Sequence, residues 1–156
     1  MKPFVRAAAV VCGAGVLLIQ LIRPEMSNPP TAPELGLDSG GGIGRAELGA
    51  LRRACYDCHS NRTVWPWYAY VSPVSWLVAR DVEEGRRRLN FSTWNAYPVM
   101  RRISLLGSIW DEVAEGGMPL PSYLWMHPSA ELTPKEKEQI LRWAEEEQDR
   151  LAGAKE

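Results

Sequence analysis

The stretch Cys55-Tyr56-Asp57-Cys58-His59 contains two cysteines separated by two residues, and a histidine follows the second one directly. The pattern C-x-x-C-H is typical of covalent attachment of c-type haem. Cysteines three positions apart on a helix lie on one side of it, so each thiol can add to one haem vinyl group. The adjacent histidine can bind the iron from one face. The motif therefore predicts one haem c held through Cys55 and Cys58, with His59 as an axial ligand.

Three other uses of these cysteines fit the sequence less well. A thioredoxin-like redox pair accompanies a βαβ pattern, and the chain shows no alternating strand pattern. A zinc site needs two further ligands, and the only other histidine is His127. A disulfide across so short a loop adds little stability. Covalent haem is the favoured interpretation.

The segment Gly116-Gly117-Met118-Pro119 supplies the candidate for the second axial ligand. The glycines allow the backbone to approach a flat ligand, and the proline fixes the direction in which the chain leaves. A thioether suits haem iron, so Met118 is predicted to bind the metal opposite His59. His127 is an alternative, and a vacant sixth position is left open.

Aromatic residues are abundant, with seven Trp and five Tyr in 156 residues. Large aromatic side chains are costly to expose and can enclose a planar cofactor. Trp65 and Tyr68 are the two for which we expect haem contact, although each could equally be an ordinary core residue.

The amino-terminal residues differ from the rest of the sequence. Residues 1–24 contain Lys2, Arg6 and Arg23 but no acidic residue, and residues 7–22 are mostly apolar. The pattern predicts a retained signal anchor with a single membrane span, whose positive end stays in the cytoplasm. A cleaved signal peptide is the alternative. Residues 25–44 are rich in proline and glycine and are predicted to form a tether.

The folded part, residues 45–152, reads as about four helices with long aromatic loops, and residues 153–156 as a tail. One apolar stripe runs through Leu48, Leu51, Cys55 and Cys58, and Ser72-Pro73 is predicted to cap a second helix. A third helix starts after Tyr97-Pro98, and the last one at a capping box formed by Thr133 and Glu136. The fold class is therefore all-α, with loops too long for a simple bundle.

The combination of motifs resembles a small bacterial haem-binding domain family over about residues 47–143. The resemblance rests on Cys55–Asn61, Trp65–Tyr68, Pro73–Leu77, Asp81–Gly85, Leu89–Ser92, Trp94, Gly117–Pro119, Tyr123–Leu124 and His127–Pro128. It implies an extracytoplasmic monohaem domain similar to class I cytochromes c.

These features favour an electron carrier over an enzyme. The net charge of −1 argues against nucleic-acid binding, and no acid–base or nucleophile constellation is evident. We expect a membrane-anchored protein on the periplasmic side, with an unidentified redox protein as its partner. Two alternatives remain: a haem sensor or peroxidase-like module with an open sixth position, and a haem-containing subunit of a membrane complex.

Overall fold

The computed structural model describes residues 3–40 and 42–154, so Lys2 of the predicted anchor and the last two residues of the predicted tail lie outside the described residues. Within the described ranges the fold is all-helical, as predicted, and contains no strand. The residues in these two ranges form seven α-helices, which are α1 (Pro3–Ile19), α2 (Arg45–Ala54), α3 (Tyr56–His59), α4 (Val74–Arg88), α5 (Val99–Glu115), α6 (Pro121–Leu124) and α7 (Pro134–Gly153). Short 3-10 segments connect several of them.

The core lies where α5 and α7 pack together and α2 crosses α7. Its most buried members include Leu51, Leu106 and Ile140. The capping box predicted at the start of α7 is present: the backbone N–H of Glu136 donates to Thr133, and Glu136 accepts from the backbone N–H of Thr133 at 2.9 Å. These bonds satisfy donors that the first turn of a helix leaves unpaired.

The first predicted helix is broken at Cys55. The apolar stripe led us to expect one helix through Cys58, but Cys55 has φ −125° and ψ −31°. Its carbonyl accepts from the backbone N–H of both Cys58, at 3.2 Å, and His59, at 2.9 Å. A new helical turn, α3, therefore starts here. The break separates α2 from the turn that carries Cys58 and His59.

The start of α4 also differs from the prediction. The helix begins at Val74, so Pro73 is the cap residue and not the first helical residue. The hydroxyl of Ser72 bonds to that of Ser75 at 3.0 Å and gives no side-chain cap to the backbone.

The end of α5 follows the sequence prediction. Gly116 has φ +76°, a left-handed conformation that favours glycine, and it ends the helix. The backbone N–H of Met118 then donates to the carbonyl of Glu112 at 3.1 Å. This bond holds Met118 against the last turn of α5.

The apolar amino-terminal run forms α1, which ends at Ile19, three residues before the end predicted from the sequence. Across residues 3–40 and 42–154, no helix is both long and apolar enough to cross a membrane.

The chain after α1 lies along the domain. The side-chain amide of Gln20 bonds to both backbone groups of Ser72, at 3.0 and 2.9 Å, and the indole of Trp76 donates to the carbonyl of Ile22 at 2.8 Å. Farther on, Arg86 donates to the carbonyl of Ser27 at 2.8 Å. The start of the predicted tether, 25–44, is thus bonded to α4 through Ser27, and the limits of the tether as a separate unit stay a prediction.

Candidate functional site

A cavity of about 560 Å³ brings together four of the six residues that the sequence predicts to bind haem. Cys55, Cys58, His59 and Met118 all line it. The walls come from α3, from one face of α4, from one face of α5 and from the segment after α5. A volume of this size lies within the range of cofactor sites, which is roughly 300–1,000 Å³.

His59 is held in the form that a metal ligand requires. Its Nδ1 lies 3.2 Å from the carbonyl oxygen of Leu89. Since a carbonyl can only accept, Nδ1 carries the proton and Nε2 keeps a free lone pair. Burial lowers the pKa of His59, despite the opposing effects of hydrogen bonds to the backbone of Leu89 and of Gly85. The imidazole is therefore neutral at neutral pH, and a carbonyl partner of this kind orients histidine ligands in metal sites.

The thiol pKa values of Cys55 and Cys58 are raised, whereas those of a reactive redox pair are lowered. Burial raises the pKa of Cys55 to about 12 and that of Cys58 to about 11. Neither cysteine forms a disulfide. Reactive C-x-x-C pairs have lowered thiol pKa values, so this environment argues against thioredoxin-like chemistry.

Gly85 of α4 allows that helix to touch the C-x-x-C-H segment. A Cβ atom at this position would lie 2.5 Å from the carbonyl oxygen of Cys58, and 3.1 Å from its Cβ. Both distances are shorter than van der Waals contact, and the nearest atoms are backbone. The close packing of α3 on α4 thus requires glycine here.

The remaining lining fits a flat apolar group that carries acids at its edge. Leu51, Phe91, Leu105, Ile109 and Val113 form apolar walls, while Arg88 and Arg101 also line the cavity. Arginine is well suited to bind carboxylates, such as haem propionates. Arg88 also pairs with Glu84, at 2.6 Å, and the lining includes further acids, Asp57, Asp81 and Glu112. The residues present fit haem.

Trp65 and Tyr68 are not brought to this cavity. Trp65 lies under the guanidinium group of Arg86, whose central carbon is 6.0 Å from the ring centroid. Tyr68 and His127 instead line a smaller adjoining cavity. Of the two candidates for the second axial ligand, the structure places Met118 and not His127 in the cavity of His59.

Several functional features were not predicted from the sequence. The carbonyl of Leu89 has no sequence signature, and Arg101 reaches the cavity from α5. Asp81, Glu84, Gly85 and Arg88 share the cavity face of α4, at helical spacing. The helical spacing of these residues can be read from the sequence. However, three of the four are charged, which is also typical of a helix face exposed to solvent.

Comparison with known proteins supports the chemistry of the cavity. A family model described as a haem-binding domain matches residues 14–146, a range that includes every residue lining the cavity. No curated protein and no solved structure matches the chain. The chain belongs to the haem-binding domain family and is a haem-binding protein.

Proposed function

We propose that the protein is a monohaem, c-type cytochrome-like electron carrier with its haem in the larger cavity. One observation carries the proposal: a single cavity collects two thiols, a neutral imidazole and a thioether. Haem, when bound, supplies a one-electron couple at its iron. The same set of residues on separate surfaces would support no such function.

Each of the four residues has a distinct role in this proposal. Cys55 and Cys58 would hold the cofactor by thioether bonds, and Nε2 of His59 would bind the iron. Met118 would be the second protein ligand of the iron, and a thioether ligand raises the reduction potential. The apolar walls exclude water and thereby lower the local dielectric constant around the metal. If His59 and Met118 both bound the iron, electron transfer would be favoured over binding of a substrate there.

The attachment test compares three cysteines of the same chain. The protein is expressed with export and haem maturation, treated with acidified acetone and stained for haem after denaturing electrophoresis. Wild type and Cys12→Ser should keep the stain, because Cys12 lies on exposed α1. Cys55→Ser/Cys58→Ser should lose it. Haem that is fully extracted from wild type would refute covalent attachment, and a wild type that never carries haem would refute the site.

The carrier test measures ligand exchange at the iron. Potentiometric titration of the haem in the wild-type protein should give a single one-electron transition. The reduced protein should bind carbon monoxide slowly. Fast, stoichiometric carbon monoxide binding would show an open sixth position and favour a sensor or peroxidase-like function.

We further propose that the amino-terminal segment attaches the domain to the outer face of the cytoplasmic membrane. The apolar side chains of α1 are exposed, among them Val10, Val11 and Leu17. If this segment is retained, the protein should sediment with membranes after alkaline carbonate treatment, and its amino terminus should lie at or near Met1. A released protein that starts downstream of Met26 would indicate a cleaved signal.

We also propose that the electron carrier exchanges electrons with another protein, its redox partner.

A further inference from the structure

A second cavity of about 310 Å³ adjoins the haem cavity. It lies between the chain after α3, one face of α4 and the segment Leu120–His127. The two cavities share five lining residues, which are Asp57, Cys58, Asp81, Leu120 and Tyr123. Anything bound in the smaller cavity therefore lies next to one of the two predicted haem attachment points.

The walls of the smaller cavity are mostly apolar. Val74, Leu77, Val78 and Val82 line it from α4, and Leu120 closes part of the opposite side. A small apolar group is stabilised in such a place by about 25 cal/mol for each Å² that it removes from water. The volume is at the lower end of the usual range for ligand sites, which favours a molecule of one ring.

Two polar side chains in the lining have hydrogen-bonding capacity to spare. Nδ1 of His127 lies 3.1 Å from the carbonyl oxygen of Tyr123, so Nδ1 donates and Nε2 is an acceptor. The hydroxyl of Tyr68 is 3.3 Å from both ring nitrogens of His127, longer than a good O–H···N bond. Nε2 can thus accept from a ligand hydroxyl, and the O–H of Tyr68 can donate to the oxygen of that hydroxyl.

The cavity opens on an apolar surface. Val64, Val74, Leu77 and Met126 line the cavity and are also exposed, with Val64 74% exposed. Trp67 and Trp125, each next in sequence to a lining residue, are 72% and 83% exposed. An entrance of this composition favours molecules that partition from water, and disfavours ions and sugars.

We propose that the smaller cavity binds a small aromatic molecule that carries a ring hydroxyl, of the phenol or hydroquinone class. The ring is accommodated by the α4 face, and the hydroxyl is recognised by His127 and Tyr68. The ring of Tyr123, stacked on His127 with centroids 4.0 Å apart, provides an aromatic wall. The part of this inference that places the ligand beside a haem attachment point rests on the proposed function.

The test uses 4-ethylphenol and ethylbenzene, two probes that differ by one hydroxyl. Titration of the full-length haem-loaded protein, followed by methyl NMR signals of the cavity, should give saturable binding of both. His127→Leu should weaken 4-ethylphenol binding by about tenfold and leave ethylbenzene binding unchanged, because only the phenol loses a hydrogen bond. Tyr68→Phe should weaken 4-ethylphenol binding by a smaller factor. Leu77→Trp should fill the cavity and abolish binding of both probes.

Tyr70→Phe is the matched control, since Tyr70 belongs to the same 3-10 segment as Tyr68 but does not line the cavity. It should bind both probes as wild type does. The proposal is overturned if His127→Leu affects both probes equally, or if Leu77→Trp binds them normally. Haem staining of the same samples separates the two hypotheses: stained protein that binds no phenol refutes this inference alone, whereas unstained protein refutes the proposed function.

Discussion

The wall of the larger cavity that carries His59 and the wall that carries Met118 are held in place differently. On the His59 side, Tyr56 stacks on Phe91 with ring centroids 5.1 Å apart. The carbonyls of Asp57 and Ser60 accept side-chain hydrogen bonds from Thr63, at 2.6 Å, and Arg86, at 2.8 Å. These contacts come from three different parts of the chain.

The Met118 side has fewer attachments. The backbone of Met118 is bonded to Glu112 of α5, the helix that precedes it, and α6 is one short turn. A hydrogen bond of 2.7 Å from the hydroxyl of Tyr123 to Asp57 links this wall to the other one. The difference indicates that the His59 wall is the more firmly held of the two; in the proposed function, changes in the Met118 wall would therefore affect the iron more than the fold.

Gly85→Ala should have the largest effect, because it disrupts the His59 wall. Its methyl group would overlap the carbonyl of Cys58, so α3 and α4 must separate. We expect a loss of about 3 kcal/mol in the free energy of unfolding, measured by urea denaturation, together with poor haem incorporation. Gly49→Ala is the control, since a Cβ there meets nothing within 4 Å, and it should gain roughly 0.5–1 kcal/mol. Equal stability of both variants would contradict the described packing.

Met118→Ala should alter the iron more than the fold. We expect loss of the near-infrared sulfur-to-iron charge-transfer band of the oxidised protein, a lower reduction potential, and a decrease of about 2 kcal/mol in unfolding free energy. Met126→Ala, a change at an exposed methionine, should retain the band. His127→Ala should retain it too. If His127→Ala changes the ligation of the iron and Met118→Ala does not, the wall that carries Met118 does not supply the second iron ligand as proposed.

Tyr123→Phe should weaken the link between the two walls. Removal of the hydroxyl leaves one oxygen of Asp57 without this donor, which should cost about 1–2 kcal/mol of unfolding free energy. The charge-transfer band should remain, because Met118 itself is unchanged. Tyr70→Phe, on the exposed surface, should change stability by less than about 0.5 kcal/mol. A stability loss as large as that of Gly85→Ala would mean that both walls are equally rigid.

Asp38→Asn should have the smallest effect and should depend on pH. Burial raises the pKa of Asp38, but hydrogen bonds from Tyr56 and Arg52 outweigh burial and lower it overall. A carboxyl group with a lowered pKa in the folded state stabilises it above the unfolded value, about 3.9, and loses this contribution as pH falls through the folded value. Urea denaturation should show wild type more stable than the variant at pH 7, with the gap narrowing below about pH 4. A stability difference between wild type and Asp38→Asn that does not change with pH would contradict a stabilising hydrogen bond from Tyr56 to the Asp38 carboxylate.

Local signals in the sequence predicted much of this site. The cysteine and histidine spacing, the glycine before Met118 and the capping box at Thr133 each act within a few residues, so their geometry follows from the chain nearby. The break at Cys55 was missed because the apolar stripe continues through it. The contact of Gln20 with Ser72 was also missed, since it joins residues 52 positions apart and no local pattern indicates it. Gly85 could have been found, because glycine within a helix is disfavoured without a reason in packing.

The partner of His59 Nδ1 is a main-chain oxygen, and this has a consequence for redesign of the protein. No single side-chain replacement can remove the acceptor, because every residue type at position 89 brings the same carbonyl. A substitution at position 89 therefore leaves the hydrogen bond from His59 Nδ1 in place, and with it the electron-donating character of the imidazole. To change it, an engineer would have to insert or delete a residue between α4 and the 3-10 segment Phe91–Ala96, and so move the carbonyl itself.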